Sequence, residues 1–156
     1  GRGNRDHRNI ITSLEMDSEK MEQNNIRLQA TYRRIEENEV RFQEYFTDDA
    51  EYLVVAFGSV ARICLKAIED AREKGLKIGL LRPITLWPFP TAEIARLSKQ
   101  VKGILTVELN AGQMIEDVRL AVDGRVLVTH FGRMGGMIPN PGEVLDALKR
   151  DFNVEL

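Results

Sequence analysis

From Tyr52 onward the chain repeats one pattern four times: a short apolar run, a break, and then an amphipathic stretch. The runs are "YLVVAF" (52–57), "LKIGLL" (76–81), "KGILTVEL" (102–109) and "RVLVTHF" (125–131). "YLVVAF" is a continuous apolar run of the kind that a strand buried on both faces requires. The intervening stretches read as helices. These are "VARICLKAIEDAREKG", a segment near 91–100, "AGQMIEDVRLAVDG", and a last one beginning near Pro141. Ser59, Thr91 and Asn110 stand where N-caps belong, and Gly75 where a C-cap belongs. Strand and helix alternating over short links specify a parallel sheet covered on both faces, a three-layer α/β/α fold. In such a sheet every strand-to-helix loop opens at the carboxyl ends of the strands. Gly58–Ser59, 82–90, 109–112 and 130–140 therefore converge on one rim.

The chain before this pattern reads differently. Residues 1–16 form an arm with one short strand, "NIITSL", free to add at a sheet edge. Residues 17–47 are charged and lack Pro and Gly. Leu28, Tyr32, Ile35, Phe42 and Phe46 recur there at helical spacing, which predicts one long amphipathic helix. Residues 48–156 make the α/β core, and the 156 residues suit a single domain.

Composition narrows the function. A net charge of −2 carries no basic surface of the kind that grips nucleic acid. No apolar run approaches the roughly 20 residues of a membrane span, so neither nucleic acid nor membrane is expected as a partner. One cysteine, Cys64, excludes an internal disulfide and a self-contained iron–sulfur cluster. His7 and His130 offer no metal-ligand spacing, and no metal site is expected. A reducing, cytoplasmic compartment is the default. Cys64 lies on an apolar helix face and reads as a buried, inert thiol.

Each rim motif has a structural and a functional reading. "AFGSVA" places Gly58 and Ser59 at a helix start. It reads first as a plain cap and alternatively as an anion site, although the dinucleotide glycines and the phosphate-loop lysine are absent. "RPITLWPFP" holds Trp87 and Phe89 between prolines, where they either tuck onto the domain or anchor an interface. The aromatic–Pro bonds raise the odds of a cis peptide. In "VELNAGQMIEDV", Asn110 reads as the helix cap, Gln113 falls in the first turn, and Glu108 is an anion placed to meet a cationic group. A catalytic role for Glu108 lacks a partner, and no catalytic residue is assigned. "THFGRMGGMIPNPGE" carries Gly132, Gly135 and Gly136, with Arg133 between the first two. Met134 and Met137 are adaptable apolar contacts rather than phosphate ligands, so this loop reads as a surface for a neighbouring subunit. Arg133 keeps an anion or coenzyme A role open.

Taken in order, "NEVRFQEYFTDDAEYLVVAFGSVARI", "GLLRPITLWPFP", "VELNAGQMIEDVRLAV" and "FGRMGGMIPNPGEVL" resemble the C-terminal part of the alpha subunit of 2-oxoacid:ferredoxin oxidoreductases. The branched-chain, 2-ketoisovalerate type is the nearest match. The resemblance implies a transketolase C-terminal-domain-like fold with a five-stranded, mostly parallel sheet and one antiparallel strand. It also implies a parent complex that uses thiamine diphosphate, coenzyme A and iron–sulfur clusters. The partners would be the N-terminal half of the same subunit, a beta subunit and a ferredoxin-like subunit, with ferredoxin as acceptor. In that frame the chain is catalytically silent alone and serves assembly and the active-site approach. Gly58, Ser59 and Arg133 are then candidate cofactor contacts. Trp87, Phe89, Glu108, Asn110, Gln113, Arg133, Met134, Gly135 and Gly136 are candidate interface residues. The competing classes are a stand-alone nucleotide or coenzyme A module and a structural dimerisation domain, the latter a homodimer.

Overall fold

A computed structural model describes residues 3–8, 10 and 14–154. The chain divides into two compact units, Gly1–Asn38 and Glu39–Leu156. Of the early strand expected over 9–14, positions 9 and 11–13 lie outside the described residues.

The first unit contains helix α1 (Ser18–Asn38). The Asp17 carboxylate accepts from the backbone N–H groups of Glu19 (3.1 Å) and Lys20 (3.3 Å), closing the open N-terminus. The Lys20 backbone and side-chain contacts hold its carboxyl below the usual range. No residue of α1 is buried. The expected helix over 17–47 therefore ends early. Phe42 and Phe46, placed on its stripe by spacing, lie beyond it. Local periodicity here was outweighed by long-range pairing.

That pairing is strand β1 (Phe42–Tyr45), which opens the second unit. There follow β2 (Tyr52–Ala56), α2 (Gly58–Glu73), β3 (Ile78–Pro83), α3 (Thr91–Leu97), β4 (Gly103–Glu108), α4 (Met114–Val122), β5 (Leu127–Gly132) and α5 (Pro141–Phe152). The sheet order is β1-β3-β2-β4-β5. β1 runs antiparallel to β3, and the other pairs are parallel. The fifth, antiparallel strand is thus 42–45, and the α/β unit starts at Glu39 rather than 48.

Alternation along each strand feeds two cores. Val54, Ala56, Leu80, Leu105 and Val107 meet Ile68, Ala71, Val144 and Leu148 of α2 and α5. Leu53, Val55, Leu81 and Ile104 meet Ile94, Leu97, Val118 and Val122 of α3 and α4. Arg72, near the end of α2, locks the turn after β1. Its guanidinium donates to the carbonyls of Ile78 (2.8 Å) and Phe46 (2.9 Å) and to Asp49 (2.6 Å). Helix ends depart from the expected caps. Ser59 lies inside α2, whose N-cap is Phe57 with no side-chain cap. Thr91 is the first helical residue after Pro90. Lys74 is the C-cap of α2, and Gly75 follows it at φ +90°.

Cys64 is fully buried, and burial pushes its thiol up to about 12. A raised pKa favours the folded state below the unfolded thiol's value of 9.0, and this advantage is lost as pH climbs toward about 12. Thiol titration at pH 8 is expected to find no reactive cysteine until denaturant unfolds the chain. Gly79 supplies a second test. A Cβ there would stand 2.9 Å from the Phe46 carbonyl oxygen and 3.0 Å from the Ala50 Cβ. Gly79→Ala is expected to lower unfolding free energy in urea by about 1–3 kcal/mol through overpacking.

Candidate functional site

The connection from β2 goes to β3 on one side, and the next strand, β4, lies on the other side of β2. The carboxyl ends of β2 and β4 therefore frame the topological switch point, where such sheets meet ligands. A crevice of about 130 Å³ occupies it, lined by 57–60 and 107–110. Gly58 and Ser59 form one lip, Glu108 and Asn110 the other.

Glu108 is 1% exposed and sets the geometry beside the crevice. Its carboxylate accepts from the backbone N–H groups of Gln113 (3.2 Å), Met114 (2.9 Å) and Ile115 (3.1 Å). One strand-end side chain thus satisfies three of the four orphan donors that open a helix. Asn110, the expected cap, instead folds an Asx turn onto the Gly112 N–H (2.7 Å). Gln113 is the N-cap residue, just outside the first turn, and offers no side-chain cap.

His130 closes the arrangement from β5. It is the register partner of Thr106. Its Nδ1 lies 3.2 Å from Thr106 Oγ1 and 3.5 Å from Glu108 Oε1. Its Nε2 lies 3.3 Å from the Asn110 carbonyl oxygen. Gly132 makes room for this. A Cβ there would overlap the Asn110 carbonyl oxygen and the imidazole. Thr106 and the steric demand on Gly132 were missed in the sequence, because only strand register brings these residues together.

Arg133 follows. Its N–H donates to the Glu108 carbonyl (3.2 Å), and its Nη1 donates to Glu143 Oε1 (2.7 Å). Glu143 also completes a capping box with Asn140 at the start of α5. The guanidinium, a candidate contact for a ligand or partner, is paired with Glu143 in the first turn of α5. Between Arg133 and Asn140 the chain turns through Gly135 (φ +65°) and Gly136 (φ +86°), a conformation that favours glycine at both central residues. This turn displays Met134, Met137 and Ile138, all exposed.

The proline-rich loop is pinned by Ile84 and Thr85 N–H groups donating to the Arg41 carbonyl. The Trp87–Pro88 peptide is cis. Its two aromatics separate: Phe89 packs on the α3/α4 core, while Trp87 is 55% exposed beside exposed Ile84 and Leu86. The rim thus exposes large apolar side chains on both sides of the switch point, with exposed Leu109 between.

Residues 50–144 match the family model described as pyruvate:ferredoxin oxidoreductase core domain II. The chain belongs to that family. It is 44% identical over 94% of its length to the ketoisovalerate oxidoreductase subunit VorB of Methanothermobacter thermautotrophicus, of which it covers 42%. It is 34% identical over 70% of its length to the 2-oxoglutarate synthase subunit KorA of Methanothermobacter marburgensis, of which it covers 29%. The chain therefore spans about two fifths of the length of the VorB relatives it matches. The fold is similar to that of the 2-oxoglutarate:ferredoxin oxidoreductase of Magnetococcus marinus. That likeness has a TM-score of 0.65 at 16% identity and covers 89% of this chain and 24% of that one. A split-gene transketolase is also similar, with a TM-score of 0.52.

The cofactors implied by resemblance can be tested against this core domain II. Among the described residues no three His, Cys, Asp or Glu side chains come together as a metal site. Cys64 is sealed in a core. Among the described residues there is therefore no set of thiolates to hold an iron–sulfur cluster. The crevice, at about 130 Å³, is also below the roughly 300 Å³ at which pockets enclose cofactor-sized ligands.

Glu108→Gln keeps the shape but removes the charge from three hydrogen bonds. It is expected to cost about 1–3 kcal/mol of stability and to speed hydrogen exchange at the amides of 113–115. Unchanged exchange at those amides would show that the carboxylate does not organise the loop.

Proposed function

We propose that this chain is the C-terminal, non-catalytic domain of the alpha subunit of a thiamine-diphosphate-dependent 2-oxoacid:ferredoxin oxidoreductase, of the 2-ketoisovalerate type. Its rim serves subunit assembly and shapes one side of the active-site approach. The observation that carries this reading is the rim itself. It exposes large apolar side chains (Ile84, Leu86, Trp87, Met134, Met137 and Ile138), while two of its charged groups are tied to partners within the chain. Glu108 is spent on α4, and Arg133 on Glu143. A surface of this kind suits a protein neighbour, with Trp87 as an aromatic anchor and the methionines as adaptable contacts. The identity to VorB supports the ketoisovalerate assignment. The partners under this reading are the N-terminal half of the subunit, a beta subunit and a ferredoxin-like subunit, in the cytoplasm. Thiamine diphosphate, coenzyme A and the clusters are held elsewhere in the complex.

The chain alone, given thiamine diphosphate, 2-ketoisovalerate, coenzyme A and an electron acceptor, is expected to oxidise nothing. Co-expression with the N-terminal half and the beta subunit is expected to restore turnover. Trp87→Ala with Met134→Ala should weaken assembly at least tenfold, about 1.4 kcal/mol, by sedimentation of the complex. Oxidation by the isolated chain would overturn the division of labour. Micromolar binding of coenzyme A, ATP or NAD by calorimetry would favour a nucleotide module instead.

A further inference from the structure

Helix α1 carries a seven-residue repeat that the rim does not explain. Met21, Leu28 and Ile35 are each seven residues apart, and all three are half-buried. A basic residue directly precedes each: Lys20, Arg27 and Arg34. Each of these reaches back three residues to a polar acceptor. Lys20 pairs with Asp17 (3.2 Å), Arg27 Nη2 donates to Asn24 Oδ1 (2.7 Å), and Arg34 Nη2 donates to Thr31 Oγ1 (3.5 Å). The three clasps repeat along the helix at about 10.5 Å, seven residues of 1.5 Å rise. They hold a row of cations along one side of the apolar row. The other side carries Glu22, Gln29 and Glu36.

We propose that this face of α1 docks into an apolar furrow on another polypeptide, whose wall beside Lys20, Arg27 and Arg34 carries Asp or Glu side chains. A single apolar row fits a furrow better than a flat seam, which needs two. The clasped cations are already ordered, so less freedom is lost when carboxylates meet them. No residue of α1 is buried, and in proteins most helical stability comes from packing of an amphipathic face. Charge argues against two other occupants. Antiparallel pairing with a second copy sets the basic row against its own kind, and parallel pairing sets it against Glu22, Gln29 and Glu36, where Arg27 meets no carboxylate. An anionic bilayer finds no net charge to attract, since Glu19, Glu22, Glu36 and Glu37 balance Lys20, Arg27, Arg33 and Arg34. This inference is independent of the reading proposed above.

The test replaces Asn25, beside the apolar row, with a photo-crosslinking benzoylphenylalanine in the chain expressed in its native cell. Mass spectrometry then reads the segment it contacts. The expected result is one segment of another polypeptide that carries Asp or Glu along the contact. Replacing Lys20, Arg27 and Arg34 together by Glu should cut crosslink yield at least tenfold. Replacing all three by Gln gives a second variant without charge reversal and should also lower it. Glu22→Gln with Glu36→Gln should leave the yield within twofold, and circular dichroism checks that the helix persists. Several outcomes would overturn the proposal: no crosslink, crosslinks to lipid, to a second copy, to residues 39–156 of the chain itself, or to a segment without carboxylates. A yield unmoved by charge reversal would overturn it too. If the contacted segment carries the acidic row but belongs to no oxidoreductase subunit, the docking face stands and the proposed function falls.

Discussion

A carboxylate with 1% exposure governs the functional end of the α/β unit. Glu108 leaves β4 on the face toward α4 and spends both oxygens on that helix's first N–H groups. A buried charge is tolerable only when hydrogen-bonded on this scale, and a helix N-terminus is an electrostatically favourable place for it. The consequences spread outward from this contact. α4 need not be capped locally, so the chain over 109–113 is free to form an Asx turn and present Leu109 and Asn110 at the rim. His130 is drawn against the same carboxylate from the neighbouring strand, and Gly132 has to be small for the imidazole and the Asn110 carbonyl to sit there.

The layered architecture was legible because it rests on periodicity. The four apolar runs and the helices between them needed nothing beyond the residues themselves, and the parallel core appears where they fall. What escaped the sequence depends on partners distant along the chain. "FQEY" continues a helical stripe when read locally, yet its backbone pairs with β3 some forty residues away. Asn110 has the chemistry of a helix cap, and nothing local announces that Glu108 takes that task. Arg133 looks available until Glu143, ten residues on, is seen to hold it.

The rim was legible in kind more than in membership. The glycines of 132–137 read as a phosphate loop and the methionines argue against one, and in the structure Gly135 and Gly136 form a left-handed turn beside exposed Met134 and Met137. The proline-rich loop was harder to divide. Its two aromatics look equivalent in sequence, but Phe89 completes a core that Trp87 does not reach.

The direction of β1 carries a last consequence. Because it runs against β3, its first residue, Phe42, pairs with Pro83, the last residue of β3. The α/β unit is therefore threaded from the same end that carries its strand-to-helix loops. Arg41 sits at that entrance, and its carbonyl receives the N–H groups of Ile84 and Thr85. Tension or displacement applied to the chain just before β1 would be passed directly to the Trp87 loop, without first crossing the sheet.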